Sequence, residues 1–99
     1  MNNDTIIVTR HPGMVQYLLS IGLIEEGTPV LSHVSRKNQI KNKNVIGVLP
    51  LYLACQASSI TEIPLPKLPV ELRGKELSFE QVKEYAEEPQ KYMVTKLED

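Results

Sequence analysis

The stretch Thr5-Ile6-Ile7-Val8-Thr9-Arg10-His11-Pro12-Gly13 decides the fold, because an apolar run passes directly into residues that start a helix. Thr5 to Thr9 is β-branched throughout and does not alternate with polar residues, which is typical of a strand buried on both faces. Proline is favoured at the first helical position, and the next apolar residues recur at helical spacing as far as Gly22. The stretch therefore predicts a buried strand followed at once by a helix.

The remaining elements continue this order of strands and helices. Ser78 and Gln81 fit a capping box that starts the last helix, which Pro89 stops. Polar residues 35–44 predict an exposed connection, and the prolines of 64–69 predict a stiff linker. The other predicted elements are strands at 28–34, 45–48, 59–65 and 91–97 (the last a candidate edge strand) and a helix at 51–58. We expect one α/β domain over residues 1–99, with a compact Rossmann-like, mostly parallel sheet flanked by helices.

The helix predicted at 51–58 is almost wholly apolar. A helix without a polar face has no side suited to water, so we expect it to pack against the sheet or against a partner. Tyr52 is accordingly expected in the core, and Cys55 is expected to be a small buried hydrophobic residue.

Composition limits the classes of function. With 99 residues, 41% of them hydrophobic, the chain supports a single core. Its net charge of −1 argues against binding to duplex nucleic acid, and the absence of tryptophan argues against a single-strand stacking platform. Residues 1–50 hold five cations and three anions, whereas residues 51–99 hold six cations and nine anions. We therefore expect an anionic ligand to bind to the first half.

The cysteine content and the apolar stretches of the sequence indicate the cellular compartment. The single Cys55 excludes an intrachain disulfide and a thiolate metal cage. Neither a secretory signal nor an apolar stretch of the roughly 20 residues that a membrane span needs is visible. We therefore predict a cytoplasmic protein without a membrane partner.

Two strand-to-helix junctions are the best candidates for a site. Thr9-Arg10-His11-Pro12 and Val48-Leu49-Pro50 each follow a predicted parallel strand. The carboxyl ends of such strands form the ligand-binding edge of an open sheet. Helix starts add free N–H groups and partial positive charge, which suit phosphate. Gly13 would let a bulky anion approach the backbone closely.

Arg10 and His11 are the candidate catalytic residues. Arginine offers a fixed fork of donors to phosphate oxygens. A histidine beside a positive helix end is expected to be neutral and able to accept a proton. The pair suits phosphoryl chemistry without a metal or other cofactor, since one group holds charge and the other moves a proton. The alternative is that both residues only cap the helix and pair with an acidic neighbour.

Other polar residues have structural explanations. His33, inside a predicted strand, is expected to be a packed core or interface histidine rather than an acid or base. Residues 36–43 are expected to form an exposed loop, although this loop could fold over a bound anion. Arg73-Gly74 is compatible with a simple turn.

Three blocks of sequence resemble a family of small type III CRISPR accessory proteins, the Csx-sixteen family, which is grouped with the ring nucleases. The blocks are Val8–Gly13, Ile46–Ala54 and Leu68–Ser78, and they occur in the family's order and at similar spacing. The chain departs from the family pattern at Val48, where threonine is usual, and at His33-Val34-Ser35, where His-Leu-Asp is usual.

The resemblance implies a CARF-like Rossmann fold and a homodimer that binds cyclic oligoadenylate, most of all cyclic tetra-adenylate, at its interface. It further implies metal-independent cleavage to linear products that end in a 2′,3′-cyclic phosphate. Carried over by position, the ligand-binding candidates are Thr9 and Gly13, which flank the catalytic candidates, then His33, Leu49, Pro50, Arg73 and Gly74.

Three other functions compete with this one. A binding protein could sequester the cyclic nucleotide without cutting it, and it would not need His11. A phosphatase of the histidine type also places Arg-His after its first strand, but it needs a second histidine, for which only His33 is available. A non-enzymatic partner of a CRISPR complex could dock through the apolar helix from Leu51 to Ala57.

Overall fold

Five strands form one sheet in the computed structural model, which describes residues 4–98. The first four strands are parallel, and the fifth is antiparallel to the fourth. The strands are β1 (Thr5–Val8), β2 (Val30–Leu31), β3 (Asn44–Gly47), β4 (Ser59–Glu62) and β5 (Gln90–Tyr92), and the helices are α1 (Pro12–Ser20), α2 (Leu51–Ala54) and α3 (Phe79–Tyr85). Their spatial order is β2-β1-β3-β4-β5. The predicted mostly parallel α/β sheet with flanking helices is confirmed.

The core lies on both faces of this sheet. Consecutive strand residues point to opposite faces, so Ile6 and Ile7 belong to two different hydrophobic clusters. Ile6 packs in the cluster that includes Leu53 of α2. Ile7 packs in the cluster that includes Leu18 of α1, and α3 contacts α1. The β-branched run of β1 thus fills both layers, as its lack of alternation predicts.

Gly47 allows the two central strands to approach. It lies opposite Val8 in the register of β1 and β3 and has a φ of +144°. A Cβ atom at this position would overlap the Val8 carbonyl oxygen. A glycine is therefore required where β3 ends beside β1.

Four of the five strands are shorter than predicted, whereas β3 has the predicted four residues but starts one residue earlier. The clearest case is β2, which has two residues where the pattern predicts seven positions, 28–34. Pro29 has no N–H to donate and contributes only its carbonyl, which accepts from Ile7 N–H at 2.9 Å. Beyond Leu31 the chain leaves the sheet edge, and Val34 turns into the core. Turns of 3-10 helix occur at Lys37–Gln39 in the polar connection and at Val70–Leu72 beyond the proline-rich linker.

The bounds predicted for the helix at 51–58 are wrong, and the helix packs against the sheet on one side only. α2 is a single turn that buries Leu53 and Ala54, whereas Leu51 and Tyr52 are 75% and 73% exposed. A helix lying on a sheet has only one side to bury, so an apolar residue on its other side remains in solvent. The core placement of Tyr52 is therefore also wrong. Cys55 is half-buried, and its Sγ donates to the Tyr52 carbonyl at 3.4 Å.

The capping box of the last helix is confirmed. Gln81 N–H donates to Ser78 Oγ at 3.2 Å, and Ser78 N–H donates to Gln81 Oε1 at 3.0 Å. The helix ends at Tyr85 rather than just before Pro89, because Ala86 is already extended. β5 lies at the sheet edge, as predicted for the last strand. Within residues 4–98, none of the helices has the length and apolar character needed to cross a membrane.

Candidate functional site

A cavity of about 480 Å³ opens at the carboxyl ends of the central strands. It lies where the strand order reverses between β1 and β3, which is the usual ligand site of an open α/β sheet, and its volume is in the usual range for small-molecule sites. The lining residues come from the carboxyl ends of the four parallel strands and from the segments after them: Val8, Thr9, Arg10, His11, Met14, Ser32, His33, Val34, Ile46, Gly47, Val48, Leu49, Pro50, Tyr52, Leu53, Ile63 and Leu65. Both predicted junctions therefore meet in one cavity.

The first junction supplies three of the polar side chains of the cavity, those of Thr9, Arg10 and His11. Thr9 follows β1, and its Oγ1 accepts a hydrogen bond from His11 N–H at 3.2 Å. This bond closes a tight turn that places Arg10 at its tip, where the side chain is exposed. Pro12 then begins α1, whose first turn is fixed by the His11 carbonyl accepting from Met14 N–H at 2.9 Å. The turn thus presents a guanidinium to the cavity.

His11 is held by a distant part of the chain. Its Nδ1 accepts a hydrogen bond of 3.1 Å from Leu77 N–H, just before α3. Leu77 is buried with 3% exposure, whereas His11 is half-buried and also lines the cavity. The imidazole is therefore fixed through Nδ1, on a residue that lines the cavity.

Gly13 has a packing role. The structure does not place it among the lining residues, and a Cβ here would overlap the backbone of Leu77, Ser78 and Phe79. The expectation that Gly13 lets an anion approach is thus replaced by close contact between α1 and the start of α3. This contact brings Leu77 within reach of His11.

The second junction contributes less charge than predicted. Leu49 is part of the core as well as a lining residue, and Pro50 is exposed at the cavity. Because α2 is only one turn long, few peptide dipoles add up at its start. The predicted phosphate site at this helix start is not supported. The junction supplies apolar walls instead.

The other predicted residues divide into those that line the cavity and those that lie outside it. His33 lies beyond the short β2, is exposed and lines the cavity, so the core alternative predicted for it is wrong, and the interface alternative stays a prediction. Arg73 and Gly74 are exposed after the 3-10 turn and do not line the cavity. The loop 36–43 likewise stays outside it, and Ile40 within this loop is buried in the core.

Val48, part of the second predicted junction, lines the cavity and is 71% exposed. Sequence reasoning missed the parts played by Tyr52 and Leu77. Tyr52 lines the cavity and is 73% exposed, whereas its apolar neighbours favoured a place in the core. Leu77 acts through its main-chain N–H, for which no side-chain pattern exists.

Comparisons with known proteins identify a family. Residues 6–95 match the family model described as "Putative CRISPR-associated protein (Cas_VVA1548)". No match was found among curated proteins or among solved structures.

Proposed function

The chain belongs to the Cas_VVA1548 family, and from this premise we propose that it is a ring nuclease of the Csx-sixteen kind. It binds cyclic oligoadenylate, with cyclic tetra-adenylate as the first candidate, and cleaves it without a metal. The observation that carries the proposal is the cavity at the ends of β1 and β3, in which Arg10 and His11 stand together.

The lining of the cavity suits a nucleotide. The guanidinium of Arg10 supplies paired donors for phosphate oxygens. Val48, Pro50 and Tyr52 supply exposed apolar and aromatic surface at the same cavity. Nucleobases stack on aromatic side chains, whereas a simple phosphate or sugar phosphate would make little use of them. Charge and apolar surface side by side therefore favour a ligand that has both phosphates and bases.

The reaction that fits is an intramolecular transesterification. A ribose 2′-oxygen forms a bond to the adjacent phosphorus, and the bond from phosphorus to O5′ breaks. The 2′-hydroxyl loses its proton and O5′ gains one, so the products are a 2′,3′-cyclic phosphate and a 5′-hydroxyl. Because nucleophile and phosphate belong to one molecule, the protein needs only to align them and to stabilise charge on the phosphate oxygens.

A homodimer would complete the site. A cyclic ligand with repeated phosphates matches a two-fold arrangement of identical half-sites. Leu51 and Tyr52 expose apolar surface next to the cavity opening, where a second copy would cover them. Within this proposal, each protomer contributes one Arg10 and one His11 to the ligand.

The direct test is cleavage of labelled cyclic tetra-adenylate by purified protein in EDTA. We expect linear products with 2′,3′-cyclic phosphate ends. Arg10→Ala should weaken both binding and cleavage, whereas Lys91→Ala, which removes an exposed cation on β5, should change neither. Intact ligand that comigrates with the protein would instead identify a sequestering protein. A stable monomer that neither binds nor cleaves cyclic oligoadenylates would contradict both cleavage and sequestration. It would favour a docking partner of a CRISPR complex.

A further inference from the structure

We propose that His11 serves the bound phosphate as a hydrogen-bond donor through Nε2–H and is not the general base. This inference rests on the proposed function, because it assumes a phosphodiester in the cavity. It also revises the sequence-based role of His11 as a proton acceptor. The observation behind it is the hydrogen bond from Leu77 N–H to His11 Nδ1.

The hydrogen bond from Leu77 fixes the tautomer of His11. Leu77 is 3% exposed, and a buried backbone N–H is almost always paired. Its partner is His11 Nδ1 at 3.1 Å, which must present a lone pair in order to accept. A proton on Nδ1 would place two donors face to face and leave the buried amide unsatisfied. The neutral ring therefore carries its proton on Nε2.

Main-chain packing on both sides of Leu77 holds this hydrogen bond in place. Leu77 precedes Ser78, whose capping box fixes the start of α3. On the other side, Gly13 lets the backbone of α1 approach the same segment. The Leu77 amide and the His11 ring thus lie on two segments whose main chains are in contact. The tautomer does not depend on the rotamer of a second side chain.

This tautomer determines which chemistry the His11 ring can perform. In this tautomer Nδ1 is already engaged and Nε2 carries a proton, so the neutral ring has no lone pair for the ribose 2′-hydroxyl. For the same reason it lacks the nucleophilic nitrogen that a histidine-type phosphatase needs. What it offers is the Nε2–H, beside Arg10 at the cavity. As the 2′-oxygen bonds to phosphorus, a fixed donor stabilises the negative charge that grows on the phosphate oxygens.

Nitrogen NMR tests the tautomer without any reaction. The chain has two histidines, so ¹⁵N-histidine labelling of the wild type and of His33→Gln assigns the His11 signals. We expect an unprotonated Nδ1, a protonated Nε2 and, in uniformly labelled protein, a coupling across the hydrogen bond from the Leu77 amide nitrogen to Nδ1. A proton on Nδ1, or averaged shifts from exchange between tautomers, would overturn the proposal.

Single-turnover cleavage tests the donor role. His11→Gln places an amide N–H near the position of Nε2 but provides no basic nitrogen, whereas His11→Ala provides neither. We expect His11→Ala to slow cleavage by about 100-fold, the usual loss for one transition-state donor, and His11→Gln to recover about tenfold of it. If His11→Gln is no faster than His11→Ala, the donor role is wrong.

A non-cleavable ligand separates failure of this inference from failure of the proposed function. Cyclic tetra-deoxyadenylate lacks the 2′-hydroxyl nucleophile, and on binding it should shift the Nε2–H proton resonance of His11. If the wild type binds and cleaves the ribose ligand but the Nε2–H resonance does not respond to the deoxy ligand, only the role of His11 is wrong. If neither ligand binds, the proposed function fails and the donor role fails with it.

Discussion

The backbone N–H of Leu77 donates to Nδ1 of His11 at 3.1 Å, across 66 positions of the chain. This bond joins the segment before α3 to the turn after β1, so the last third of the chain orients a side chain that the first strand positions. The cavity therefore depends on packing between α1 and α3 as well as on the sheet edge.

Replacing the two catalytic candidates should separate binding from turnover. Arg10→Ala should weaken binding of cyclic tetra-adenylate by about tenfold to 100-fold, since a charged hydrogen bond contributes about 1.5–3 kcal/mol. His11→Ala should lower affinity by a smaller factor than the single-turnover rate, because its Nε2–H bonds most strongly to the phosphate oxygens as negative charge grows on them. Equilibrium binding measured beside single-turnover cleavage checks both, and equal rates for wild type and His11→Ala would remove His11 from the reaction.

Gly13→Ala should destabilise the fold. The added methyl group meets main-chain atoms of Leu77 and Ser78, which cannot move as a flexible side chain does. Overpacking of this kind costs about 1–3 kcal/mol, to be read from urea unfolding. Gln16→Ala, at an exposed position in the same helix, is the matched control and should not lower the free energy of unfolding. Equal stability of the two variants would refute the close contact between α1 and α3.

Ser78→Ala should remove one half of the capping box. The hydroxyl accepts from Gln81 N–H, and loss of such a cap costs about 1 kcal/mol in the free energy of unfolding. Ser58→Ala, also at an exposed serine, provides the comparison and should be near neutral. Urea unfolding of both variants measures the difference, and an unchanged midpoint for Ser78→Ala would show that the cap contributes nothing.

Tyr52→Ala should impair ligand binding and leave stability intact. The side chain is 73% exposed and lines the cavity, so its removal leaves no hole in the core. Stacking of one base is worth about 1–3 kcal/mol, which predicts weaker binding of cyclic tetra-adenylate. Tyr52→Phe should retain affinity, and Tyr92→Ala, an exposed tyrosine on β5, should have no effect. Full affinity in Tyr52→Ala would exclude base stacking on this ring.

The sequence pattern identified the sheet and the junctions but not the details of the cavity. Consecutive β-branched residues are typical of buried strands, so β1 and β3 could be predicted from residue type alone. Tyr52 was misplaced because residue type indicates that a side chain favours burial. It does not indicate whether enough neighbouring surface is available to cover that side chain. His33 was misplaced because β2 ends at Leu31. The contact between Leu77 and His11 is long-range and uses a main-chain group, which residue type does not reveal.

The amide that orients His11 belongs to the backbone, and this shapes how the segment before α3 can vary. Every residue except proline supplies the same N–H, so this hydrogen bond does not itself constrain the side chains of residues 70–77. The burial of Leu77 and the φ of +82° at Gly74 are separate constraints on residue type. An insertion or deletion would change the path length and move the donor away from the imidazole, so the hydrogen bond depends on the length of this segment.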